Sequence, residues 1–228
     1  STDDTRFTTG KELMPSRKNN GFSLLELMIT VSLGLVMAGV TFIYLTPSMN
    51  SGHVNSAYET TLMALRNTRN LAITQSHEYY VNFNPAGFPA GTIQVEYQPP
   101  IVPPAVAAPP IQQVNTYTIP ADVSFAVQTT FPASTPDGFG TGITAIDFES
   151  TLTPGVPLPC QCVVFMPDGS AQTGVVGSSG AYVNGVVYLT RVNDTVYNSR
   201  AVTVWGATGR IRGWTIGMVA GVKEWVQQ

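Results

Sequence analysis

From Phe22 to Leu45 the chain reads FSLLELMITVSLGLVMAGVTFIYL, an apolar run of 24 residues broken by one charge, Glu26. As a helix that run is roughly 36 Å long, enough to cross a hydrocarbon core of about 30 Å. After Pro47 and Gly52, which mark a weak point in the helix, the pattern changes period. Val54, Ala57, Tyr58, Thr61, Leu62, Leu65, Ala72 and Ile73 recur at spacings of three and four, with Asn55, Glu59, Arg66 and Asn70 opposite. This is an amphipathic helix ending near Gln75, and its apolar face needs a sheet to cover it.

Beyond Gln75 the alternation shortens to two. Tyr79–Asn84, Thr92–Tyr97, Val114–Ile119 and Val123–Val127 predict strands bounded by Pro, Gly and Asn turns. Residues 98–112 hold six prolines (99, 100, 103, 104, 109 and 110), so that stretch is an exposed polyproline-like loop. Residues 129–160 are loop-heavy, with a strand at Ala145–Phe148. Clearer strands follow at Cys162–Met166, Gly185–Arg191 and Ala201–Trp205, with Pro167-Asp168-Gly169 as a strong turn. A long helix followed by an antiparallel sheet is an α+β layout.

Charge adds direction. Only 11% of residues are charged, and the formal net charge is −3. Neither value gives a global signal for nucleic acid or for an anionic surface. Arg17 and Lys18 precede the apolar run and no basic residue follows it until Arg66, which puts the N-terminus in the cytoplasm and residues after about 46 outside. A secretory signal peptide fits poorly, because the run is too long and lacks a small-residue cleavage site at its end. Glu26 is costly inside a span, by about 2–3 kcal/mol, and has no cation nearby in sequence. Cleavage just before Phe22 would create an α-ammonium four residues from it, able to pair with a neighbouring subunit's glutamate.

Arg17-Lys18-Asn19-Asn20-Gly21-Phe22-Ser23-Leu24-Leu25-Glu26-Leu27 resembles the type III signal of type IV pilins and type II secretion pseudopilins. The resemblance implies a prepilin peptidase cut after Gly21, N-methylation of Phe22, and assembly guided by Glu26. It further implies a single-pass inner-membrane protein whose C-terminal domain is periplasmic, with other pilin or pseudopilin subunits as partners after assembly. Met14 would start a short leader, leaving residues 1–13 as an extraneous extension. The implied organisation is a leader at 1–21, a transmembrane and assembly helix at 22–45, an amphipathic helix at 46–76, and a β-rich domain at 77–228. The fold implied is the type IV pilin fold.

Further on, Val163-Val164-Phe165-Met166-Pro167-Asp168-Gly169, Val186-Val187-Tyr188-Leu189, Arg200-Ala201-Val202-Thr203-Val204 and Gly209-Arg210-Ile211-Arg212 follow in order. This succession resembles the GspH/FimT group of minor pseudopilins and minor pilins. Residues 213–228, with Trp214 and Trp225, read as an extension past its usual end. In the FimT subgroup a matching GRxR motif is associated with DNA capture. That implies an alternative role in which Gly209 permits the turn, Arg210 and Arg212 hold phosphates, and Arg191, Arg200 and Lys223 widen the patch. In an extended segment the two guanidiniums share a side, about 7 Å apart, and arginine suits phosphate. Trp205 and Trp214 flank the motif, where stacking on bases competes with core packing.

The remaining chemistry is sparse. Cys160 and Cys162 are the two cysteines; a strained disulfide between them and two buried thiols are both open readings. With His53 and His77 they give no metal-ligand spacing. No nucleophile elbow and no phosphate loop occurs. Neither histidine is expected to be catalytic, and a membrane-anchored hydrolase would require a clustered Ser–His–acid geometry. The expectation is a non-enzymatic subunit with no cofactor and no metal.

Overall fold

The computed structural model describes residues 22–97, 99, 110–150, 161–172, 181–191 and 193–228. Gly21, Cys160 and most of the proline-rich segment lie outside the described residues. One helix, α1, spans Leu24–Gln75 without interruption at Pro47 or Gly52, where the sequence suggests a weak point. The chain divides after Leu45 into two compact units.

In the first unit the large side chains Leu24, Leu27, Met28, Ile29, Val31, Leu33, Leu35 and Val36 are all exposed. Leu24–Thr41 is long and apolar enough to cross a membrane. Its hydroxyls are satisfied within the helix: Thr30, Ser32 and Thr41 donate to the carbonyls of Leu27, Ile29 and Met37. No side-chain hydroxyl in that stretch needs water as a partner.

The second unit holds the rest of α1 and two antiparallel sheets, where the sequence pattern called for one. The first sheet has the order β3-β2-β1-β6-β7, with β1 Tyr79–Phe83, β2 Thr92–Tyr97, β3 Gln112–Thr118, β6 Cys162–Phe165 and β7 Ala171–Gln172. The second has the order β11-β10-β9-β8-β4, with β4 Val123–Phe125, β8 Val183–Arg191, β9 Arg200–Trp205, β10 Arg210–Val219 and β11 Val222–Gln227. A further strand, β5 (Ile146–Ser150), pairs with the first half of β8 while β4 pairs with its end.

The helix buries Val54, Ala57, Tyr58, Thr61, Leu62, Ala64, Leu65, Thr68 and Ala72 against both sheets. Ile73, placed on that face by its spacing, is 40% exposed. A second apolar cluster lies on the other side of the second sheet: Val186, Tyr188, Ala201, Ile216 and Trp225, with Val127, Phe131 and Trp214 packed on it. The loop after β4 thus covers the outer face. Strand β8 is consequently buried on both sides, so it reads as a continuous apolar run rather than an alternation. Residues 213–228 complete β10 and supply β11.

Candidate functional site

The β9–β10 connection positions the Arg210/Arg212 motif. Gly209 has φ +57°, and a Cβ there would lie 1.9 Å from the Gly169 carbonyl oxygen and 2.8 Å from Arg69 Nε. Only glycine fits both the left-handed backbone and that approach. Arg69, on α1, fastens the same place by donating from Nε to the Gly169 carbonyl (3.0 Å) and from Nη2 to the Thr208 carbonyl (3.0 Å).

Arg210 pairs with Trp205 and Arg212 with Thr203. Arg212 lies on the outer face of the sheet, away from Ile211 and Gly213, whereas Arg210, the first residue of β10, stands beside the turn at the rim of a cleft. Their environments differ. Arg212 donates from Nη1 to Asp137 Oδ1 at 2.6 Å, and its guanidinium lies 5.3 Å from the Trp205 ring centroid. Asp137 Oδ2 also accepts from the Thr203 hydroxyl (2.6 Å) and from Trp205 Nε1 (3.0 Å). Thr203 in turn accepts from Trp214 Nε1 at 2.9 Å. Asp137, 5% exposed at its side chain, thus ties the loop after β4 to β9 and β10. Arg210 remains exposed and borders a cleft of about 510 Å³ that is also lined by Arg66, Arg69, Asn70, Thr208, Gly209 and Ile211.

The wider basic patch does not come together. Arg191 donates from Nε to Asp122 Oδ2 at 2.7 Å, and His53 Nδ1 lies 2.7 Å from the same oxygen. The His53 contact, desolvation opposing, then Arg191, leave Asp122 below its usual pKa of 3.8. Arg200 donates to the carbonyls of Tyr197 (3.2 Å) and Ser199 (3.0 Å), and burial pushes its pKa down. Lys223 reaches the Thr130 carbonyl at 3.4 Å, a weak contact. The tryptophans pack rather than stand free: Phe139 meets Trp205 edge-on at 4.9 Å, and Trp225 meets Phe131 at 5.2 Å.

Sequence reasoning missed Asp137, although Pro136-Asp137-Gly138 repeats the residue triplet recognised as a turn at Pro167-Asp168-Gly169. Cys162 is buried at the start of β6 and disulfide-bonded. Among the described residues, no group of three or more His, Cys, Asp or Glu side chains could hold a metal ion.

At the N-terminal end, Phe22 and Glu26 are exposed, and Glu26 sits in the first turn of α1. Residues 16–42 match the family model for the prokaryotic N-terminal methylation motif. No curated protein and no solved structure matches the chain. The chain therefore carries the N-terminus of a type IV pilin or pseudopilin, on a pilin-like α+β layout. That motif implies processing by a prepilin peptidase, inner-membrane anchoring through the apolar helix before assembly, and pilin-type assembly partners. It marks a structural subunit rather than an enzyme.

Proposed function

We propose that this chain is a minor pseudopilin or pilin of the GspH/FimT kind, cut after Gly21, methylated at Phe22, and drawn into a type II secretion pseudopilus or type IV pilus by Glu26. One observation supports this most: the methylation motif at 16–42 opens a helix that is exposed and apolar at first and amphipathic afterwards. In the bilayer the exposed side chains face lipid. In a filament the same side chains pack against other subunits' helices. The carboxylate of Glu26, expensive in hydrocarbon, then finds its cation in a neighbour's new α-ammonium. The organisation at 22–45, 46–76 and 77–228 follows from this division of labour.

The alternative of DNA capture through Arg210 and Arg212 is not the reading we favour, because Arg212 is held by Asp137 and the face of Trp205. The test of the filament reading is Glu26→Ala in the full chain. Leader removal should persist, while the amount of subunit in sheared filaments falls to background. Normal incorporation would reject the role given to Glu26.

A further inference from the structure

The cleft between α1 and the β9–β10 turn has a one-sided chemistry. Arg66, Arg69 and Arg210 line it with Asn70 and Thr208, and none of the lining residues is acidic. Arg66 and Arg69 stand three apart on the helix, hence on one side of it. The Arg69 guanidinium is fixed by two carbonyls, which leave its charge uncompensated. Arg66 is exposed and has no ion pair among the described residues. The Thr208 hydroxyl accepts from the Arg210 backbone N–H at 3.3 Å, so its own proton is available to donate. A concave site whose polar side chains are guanidiniums, a carboxamide and a hydroxyl is built to receive an oxyanion.

We propose that this cleft is a docking site for a carboxylate side chain of a neighbouring filament subunit. The proposal rests on the filament reading above and adds a contact surface on the β-rich unit. Charge complementarity selects the occupant. A polyanion would need a track of free cations, but Arg191 and Arg212 are paired with Asp122 and Asp137. The chain as a whole has a net charge of −3, which further disfavours a long phosphate backbone. One group with two oxygens fits a single cluster of guanidinium forks.

The experiment uses the full-length chain in filament-producing cells. Arg66→Glu combined with Arg210→Glu should leave leader removal and membrane level unchanged while lowering incorporation at least about tenfold, the low end of losing a close interfacial charge pair. In parallel, Arg66→Lys supplies an amine that carbodiimide can join to a carboxylate in contact with it. Mass spectrometry of treated filaments should find an amide between position 66 and an Asp or Glu of another subunit. Wild-type chain absent from filaments would sink the filament reading itself. Wild-type incorporation with an unaffected double variant, or with no such amide, would overturn the cleft proposal alone. Binding of a short duplex by the purified full-length chain at low salt, lost in the double variant, would overturn it in favour of a nucleic-acid backbone.

Discussion

Asp137 holds the loop after β4 onto the second sheet, and its replacement by Asn isolates the charge of that contact. Asn keeps the side-chain shape and tolerates the left-handed backbone at this position (φ 54°). It removes the negative charge facing Arg212 Nη1 at 2.6 Å and leaves Thr203 and Trp205 one carbonyl oxygen to share. Breaking a buried pair by neutralising one partner costs about 3–5 kcal/mol. Arg212 is 22% exposed, so water recovers part of that, and about 3 kcal/mol is the expected loss. For a unit of this size the shift is roughly 6–12 °C in Tm. Near-UV circular dichroism of the full-length chain in detergent is the suitable assay, since Trp205, Trp214 and Trp225 all lie in or beside the network. In an Arg212→Met background the same substitution should cost about half as much, because no guanidinium is stranded. A fall below about 1 °C, or equal losses in both backgrounds, would refute the assignment of Asp137 as the latch.

Two further substitutions probe the packing and the acid response. A Cβ at Gly213 would lie 1.6 Å from the Tyr58 hydroxyl oxygen and 2.5 Å from the ring carbon bearing it, so Gly213→Ala should destabilise by about 2–3 kcal/mol. Tyr58→Phe should recover only part of this in chemical denaturation, and an unchanged midpoint would contradict the helix–sheet contact. Asp122 has a lowered pKa in the folded state, so its stabilising contribution is complete above the usual 3.8 and is lost as pH falls through the lowered value. The Tm gap between wild type and Asp122→Asn should therefore be full at neutral pH and close in strong acid; a gap constant with pH would rule this out.

Period and punctuation made most of the architecture readable. The helix end at Gln75 and strands β1, β2 and β9 lie within a residue of their expected bounds. The β10–β11 hairpin escaped because Gly213 and Gly217 interrupt its apolar alternation. Its signal was the two-residue turn Ala220-Gly221, both residues at positive φ, between Val219 and Val222, which pair. Two sheets rather than one follow from long-range pairings that local pattern does not carry. The latch is of the same kind: Asp137 and Arg212 are 75 residues apart, and only the register of β9 with β10 brings Thr203, Trp205 and Arg212 around one carboxylate. Nothing in the spacing of Gly209-Arg210-Ile211-Arg212 tells that one arginine would be consumed while the other has no ion pair among the described residues.

The central claim is that the chain is processed at its N-terminus and then assembled through it. Mass spectrometry of the N-terminal peptide, taken from membranes of cells with and without an active prepilin peptidase, tests it most directly. N-methylphenylalanine from Phe22 is expected in the first sample and an intact, unmethylated leader in the second. A leader retained through Gly21 in the presence of the active peptidase would contradict the claim.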